Sequence, residues 1–215
     1  MTGTLRRLQR GLEEMYRVDT GVDVHDFVID EVTRDEIAPA RASREQLLIA
    51  EHEGELSIAL FVDRAALDNL GRRDPAARLD DHNLGDFLLA LEGVSHFVYA
   101  VVCALGERRV SALELELQAE VDKYVTCLLL ADADAAAAPR WRHRLFHQFA
   151  YEPDLDADER DRYRVANENA LRYATSLERR FVTERRVPEM LAELRRFYRL
   201  PLQGKLGFIS SASAA

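Results

Sequence analysis

The sequence predicts an α+β chain that is predominantly helical, with a small N-terminal helix plus β-hairpin or three-strand unit packed on a C-terminal helical bundle. Three observations carry this. Strand-like runs occur only before residue 63, where β-branched and aromatic residues cluster between turn signals. Helical periodicity after residue 82 is long and bounded by caps. Finally, 47% hydrophobic and 31% charged residues in a 215-residue chain are ordinary for a globular protein with a sizeable core.

In order along the chain, Leu5, Leu8, Leu12 and Met15 or Tyr16 recur at helical spacing, so residues 5–18 predict an opening amphipathic helix that stops before Gly21. Val24 to Asp30 reads as a short strand, followed by a loop around Pro39. Gln46 to His52 and Glu55 to Val62 are extended runs separated by Glu53 and Gly54, where glycine supplies the positive φ of a tight hairpin turn. Asp63 is placed to cap a short helix through Leu70, and the charged connection 71–82 carries Pro75. The expected organisation is a small unit over 1–75, a helical body over 76–209 and a disordered tail over 210–215.

Two successive apolar helices occupy 83–130. The first opens at Asn83, a plausible N-cap, and closes at Gly106. Phe87, Leu91, Val94, Val98, Val101 and Leu105 share one face, and Glu92, His96, Tyr99 and Cys103 cluster opposite. The second alternates apolar and polar residues over Leu113 to Val121, yet its Leu, Glu, Gln and Ala content favours helix. Ser111 and Glu114 have capping-box spacing. Leu113, Leu117, Val121, Tyr124 and Leu128 form its inner stripe, so Glu116 and Glu120 on the flank are partly desolvated and need partners.

Beyond an Ala/Asp-rich segment, Trp141 to Tyr151 predicts a short helix and Asp156 to Val182 a long one, with small residues at 166, 170 and 174 that permit close helix approach. Arg164, Glu168 and Arg172 form i,i+4 pairs on a solvated face. Pro188 starts a last helix that ends before Pro201, and 202–209 reads as an extended tail.

The formal charge of −9 and pI near 5.2 exclude a general nucleic-acid-binding surface, which needs clustered cations. Lys123 and Lys205 are the sole lysines among 29 basic residues, a pattern of GC-rich bacterial coding. Cys103 and Cys127 form no metal-ligand spacing and predict buried free thiols in a reducing cytosol. The start leads into no apolar signal region, and the most apolar helix is broken by Asp86, Glu92 and His96, so a cytoplasmic protein without a membrane span is expected.

Phosphate-loop, dinucleotide, zincin, nucleophile-elbow, EF-hand and paired CxxC motifs are missing from the sequence. What remains is Glu92-x3-His96 on the first central helix and Glu116-x3-Glu120 on the second, each an i,i+4 pair on one helix face. Turned toward each other, these faces offer three carboxylates and an imidazole to Mn²⁺, Fe²⁺ or Zn²⁺. The competing reading is a buried polar network in which an arginine such as Arg162 or Arg164 pairs with Glu116 or Glu120. His143-x3-His147 repeats ligand spacing but lies among Arg140, Arg142 and Arg144. Two functions follow: a non-catalytic accessory protein that binds a partner protein or a second copy of itself and needs no cofactor, or a metal-dependent enzyme using Glu92, His96, Glu116 and Glu120.

Overall fold

The computed structural model describes residues 2–38, 43–52, 55–148 and 156–214. It is 68% helical, with nine helices and a three-stranded sheet among the described residues. Its contacts divide the chain into two compact units, 1–14 with 18–109 and 15–17 with 110–215. The division falls after the first central helix, whereas the sequence reading drew it at residue 75.

In the first unit, α1 (Thr2–Tyr16) buries Leu5 and Leu12. Gln9 reaches from it to the chain that follows, donating to Thr20 Oγ1 at 2.9 Å and accepting from Val24 N at 2.9 Å. The expected strand over 24–30 is reduced to two residues. Asp23 caps a 3₁₀ turn over Val24–Phe27, only Val28–Ile29 (β1) joins the sheet, and Asp30 then caps α2 (Glu31–Ile37) through the Thr33 amide. Two short acidic caps thus win over a β-rich composition, because each satisfies a helix-end amide locally. Pro39, Glu53 and Gly54 lie outside the described residues.

The hairpin is as expected: β2 (Glu45–His52) pairs antiparallel with β3 (Glu55–Val62), from Glu45↔Val62 to His52↔Glu55, and β1 adds parallel to β3, giving the order β1-β3-β2. Asp63 Oδ1 accepts from Ala65 N and starts α3 (Arg64–Arg72).

α4 (Leu84–Leu105) lies against α3 and the sheet. It is long and apolar enough to cross a membrane by length and composition, and 67% of its most apolar window is buried within the protein. The mixed face is buried as well, with His96, Tyr99 and Cys103 all inside, while Leu105 emerges at the helix end with 66% exposure. Asn83 stands at the N-cap position but makes no side-chain cap. Its amide instead ties the preceding connection, donating to Arg73 O and Arg78 O and accepting from Asp80 N.

In the second unit, α5 (Ala112–Leu130) is started by Ser111, whose hydroxyl accepts from Glu114 N. It packs on α7 (Ala157–Leu177) where Ala166, Ala170 and Ala174 are buried and leave room for close approach. α6 (Ala138–His147) buries Leu145 and Phe146 between them, and the end of the helix expected over Trp141 to Tyr151 lies outside the described residues. A capping box of Asp156 and Glu159 opens α7. At its far end the helix widens into a π turn over Glu178–Val182, closed by Thr183 N donating to Glu178 O five residues back.

α8 (Val187–Tyr198) begins one residue before the predicted Pro188, which falls in its first turn. The chain beyond Pro201 departs from expectation: Leu202–Ala214 is a helix, α9, not an extended segment and loose tail. Pro201 ends α8 but its carbonyl accepts from Lys205 N at 2.9 Å, opening the next helix. Burial of Lys205, Ile209 and Ala212 overrides the two glycines that weaken its helix propensity.

Candidate functional site

In the first unit the site is built where the start of β2 meets the middle of α4. Arg44, just before β2, donates to Asp63 at 2.9 Å and to Asp86 in the first turn of α4 at 2.9 Å. Asp86 also accepts from Asn69 of α3 at 2.8 Å. Arg34, buried in α2 over the Phe61 ring, donates to Ser43 O at 2.8 Å. Ser43 Oγ in turn donates to Glu45 O at 2.6 Å. The backbone at Glu45 is therefore fixed on both sides, and its side chain is directed onto α4.

Gly93 accepts that side chain. A Cβ at this position would lie 3.0 Å from Glu45 Cγ and Oε1 and 3.0 Å from Leu60 Cδ1, so only a residue without a side chain lets the carboxylate rest on the helix. From there Glu45 Oε1 stands 3.7 Å from His96 Nδ1, with side-chain exposures of 10% and 8%. Glu92, one turn before His96, offers a carboxylate oxygen within 4.8 Å of a His96 nitrogen. Thus the predicted Glu92 and His96 do share a face, and Glu45 joins them from the sheet. Sequence reasoning missed Glu45, because it is 47 residues from Glu92 (92 − 45) and only the folded hairpin brings it there. The signal available was Gly93 in the interior of a long apolar helix, which marks a close approach.

Such a group can hold a cation. Carboxylates beside an imidazole with little water around them are stabilised by a positive charge such as a metal ion. Carboxylate oxygen and imidazole nitrogen are the donors that Mn²⁺, Fe²⁺ and Zn²⁺ accept. The other end of the mixed face is occupied differently: Arg108 Nη2 donates to Tyr99 Oη at 3.0 Å and to Cys103 Sγ at 2.8 Å.

The second pair of predicted residues lies on α5 of the second unit. Glu116 is buried, and Glu120 is half-buried and accepts from Lys123 Nζ at 2.8 Å. The expected arginine partners are engaged elsewhere. Arg164 is half-exposed and pairs with Asp161 and Glu168, and Arg162 lies 3.8 Å from Glu159. A lysine one turn along the same helix reaches Glu120 without any tertiary contact. His143 and His147 are exposed on α6, their rings 5.5 Å apart.

The second unit contains two further polar groups that sequence reasoning did not find. Glu178, at the π turn, accepts from Tyr124 Oη at 2.9 Å and from Arg142 Nε at 2.9 Å, and burial together with the Glu178 charge pushes the Tyr124 phenol upward. Deeper still, Tyr16, Gln118, Asp122 and Lys205 form a fully enclosed cluster, each no more than 1% exposed. The rarity of lysine was the one signal for it, since a lysine kept in an arginine-rich protein and set in an apolar segment invites a chemical reason.

Compared with protein-family models, with curated proteins and with solved structures, the chain matches none.

Proposed function

We propose that the protein binds a divalent transition metal, Mn²⁺, Fe²⁺ or Zn²⁺, through Glu45, Glu92 and His96 of its first unit. The observation that carries this reading is the convergence on His96 of two carboxylates from different elements, Glu45 at 3.7 Å and Glu92 within 4.8 Å. The glycine that makes room for Glu45 supports it further. Three protein donors leave coordination positions for water or a substrate, which is the arrangement a metal-dependent enzyme requires. Metal analysis of untagged protein purified without chelator tests it. About one equivalent per chain is expected from a single mononuclear site, lost in His96→Ala and in Glu45→Ala. A metal-free wild type that takes up none of the three ions on titration, and whose melting is unchanged by chelator, makes the group a structural network.

A second reading, binding of a partner protein by a cytosolic accessory protein, is favoured by the hairpin. β2 is the sheet's edge strand, and its distal half, Ile49 to His52, is exposed together with Leu56 and Ser57 of β3. A free edge flanked by exposed Ile49 and Leu56 suits strand addition by a partner chain. Crosslinking from a residue placed at Ala50 would separate the readings, since loss of metal should leave any such capture unchanged.

A further inference from the structure

The enclosed cluster in the second unit lies outside the metal reading and does not depend on it. Lys205 of α9 is 0% exposed, and its Nζ stands 2.5 Å from Gln118 Oε1 of α5. The amine sits 4.3 Å from the centre of the Phe197 ring and 5.7 Å from that of Tyr198. Gln118 Nε2 donates to Asp122 Oδ1 at 2.8 Å and to Tyr16 Oη at 3.2 Å. Tyr16 donates to the same Asp122 oxygen, and its ring stacks on Tyr198 with centroids 3.9 Å apart. An amine, a primary amide and a carboxylate are thus held together with water excluded and aromatic rings on the amine.

These are the components of an amide exchange. Removal from water disfavours the ammonium form of a lysine and makes its amine available as a nucleophile. Enclosure of both reactants in one place replaces an encounter by a fixed approach. Asp122, bonded to the amide nitrogen, is positioned to carry the proton that the departing group needs. Burial, and then the Asp122 charge, hold Tyr16 as a neutral phenol, so it remains a donor that fixes Asp122.

We propose that Lys205 and Gln118 form an intramolecular isopeptide bond in the folded chain, joining α9 to α5. The lysine gives a proton to Asp122 and its Nζ lone pair attacks Gln118 Cδ, placing negative charge on Oε1. Collapse of that intermediate breaks the Cδ–Nε2 bond, and Asp122 delivers the proton to the leaving nitrogen. The carboxylate then takes the surplus proton from Nζ and passes it to the released ammonia, which departs as ammonium. One C–N bond forms and one breaks, no electrons are exchanged with another species, and no co-reactant is consumed. Asp122 acts as proton carrier at the reacting nitrogen, and Tyr16 is a positioning residue.

The test is the intact mass of the full chain under denaturing conditions, followed by sequencing of proteolytic fragments. Wild type should weigh less than its sequence by one ammonia, and a branched fragment should join the peptides containing Gln118 and Lys205. Lys205→Met and Gln118→Leu should show the full sequence mass. Asp122→Asn, followed over time after refolding, should gain the deficit far more slowly than wild type. A wild type that keeps its full mass after prolonged incubation in the folded state overturns the proposal, as does an ammonia deficit that persists in Lys205→Met. Should a variant fail to fold, the wild-type mass and the branched fragment decide the matter alone.

Discussion

Replacing Gly93 by alanine sets two effects of known sign against each other. In an open helical position the added methyl removes backbone freedom from the unfolded chain and stabilises by about 1 kcal/mol. Gly11, within α1 and exposed with nothing near its absent Cβ, is such a position, so Gly11→Ala should raise the melting temperature by roughly 2–4 °C in a chain of this size. At Gly93 the same methyl meets Glu45 Cγ, Glu45 Oε1 and Leu60 Cδ1, each at 3.0 Å. Crowding of this kind costs about 1–3 kcal/mol, so the net change should run from near zero to a loss of about 2 kcal/mol. The gap between the two variants, about 1–3 kcal/mol by urea titration, measures the crowding itself. Glu45→Ala should narrow that gap when combined with Gly93→Ala, because it removes two of the three clashing atoms. Metal uptake should weaken in Gly93→Ala and not in Gly11→Ala. Equal stabilisation by both substitutions would refute the placement of Glu45 on α4, and with it the candidate site.

Leu117→Ala, at a residue 1% exposed in the middle of α5, should cost about 2–5 kcal/mol in urea unfolding; a change within roughly 0.5 kcal/mol would mean that face is wet. Neither Cys103 nor Cys127 should react with a thiol reagent until the protein unfolds, since both are buried and burial pushes the Cys127 thiol up to about 12. Rapid labelling of the native protein would contradict this. Asp74 is held below its ordinary value of 3.8 by the Ala76 amide and Arg7. At Asp63, burial acts upward but is outweighed by the Arg44 hydrogen bond, the Ala65 amide and the Arg44 charge, so it too lies below 3.8. The unfolded chain therefore binds these protons more readily, and their contribution to stability is full above 3.8 and lost as pH falls through the lowered values. The urea midpoint of Asp63→Asn should fall less steeply than wild type over that acid range.

What could be read from the sequence was local. The β2–β3 hairpin, the caps at Asp63 and Ser111, the start of α8 beside Pro188 and the inner stripe of α5 all follow from residues within one or two turns of each other. So does the pairing of Glu92 with His96 on one face. Glu45 was hidden because strand-to-helix contacts carry no sequence spacing, and the cluster at Lys205 because four residues from α1, α5 and α9 meet only after folding. α9 was misread for the opposite reason. Its glycines and the proline before it are local signals for a break, and the packing of Lys205, Ile209 and Ala212 outweighs them.

The π turn at the end of α7 fixes what kinds of length change that helix tolerates. A π turn holds one residue more than the α-helical turn it replaces. Here that extra residue lets Glu178 meet Tyr124 and Arg142 while Phe181 and Val182, at the end of the turn, still face inward. Deleting Arg179, an exposed residue within it, would restore a regular helix and satisfy every backbone group, yet rotate all that follows by about 100°. Phe181 and Val182 would swing out of the interior, and the Arg180 bond to Glu193 of α8 would lose its alignment. Natural variants of this chain should therefore change the identity of residue 179, giving up only the Arg179 bond to Ala212 O, far more often than its presence.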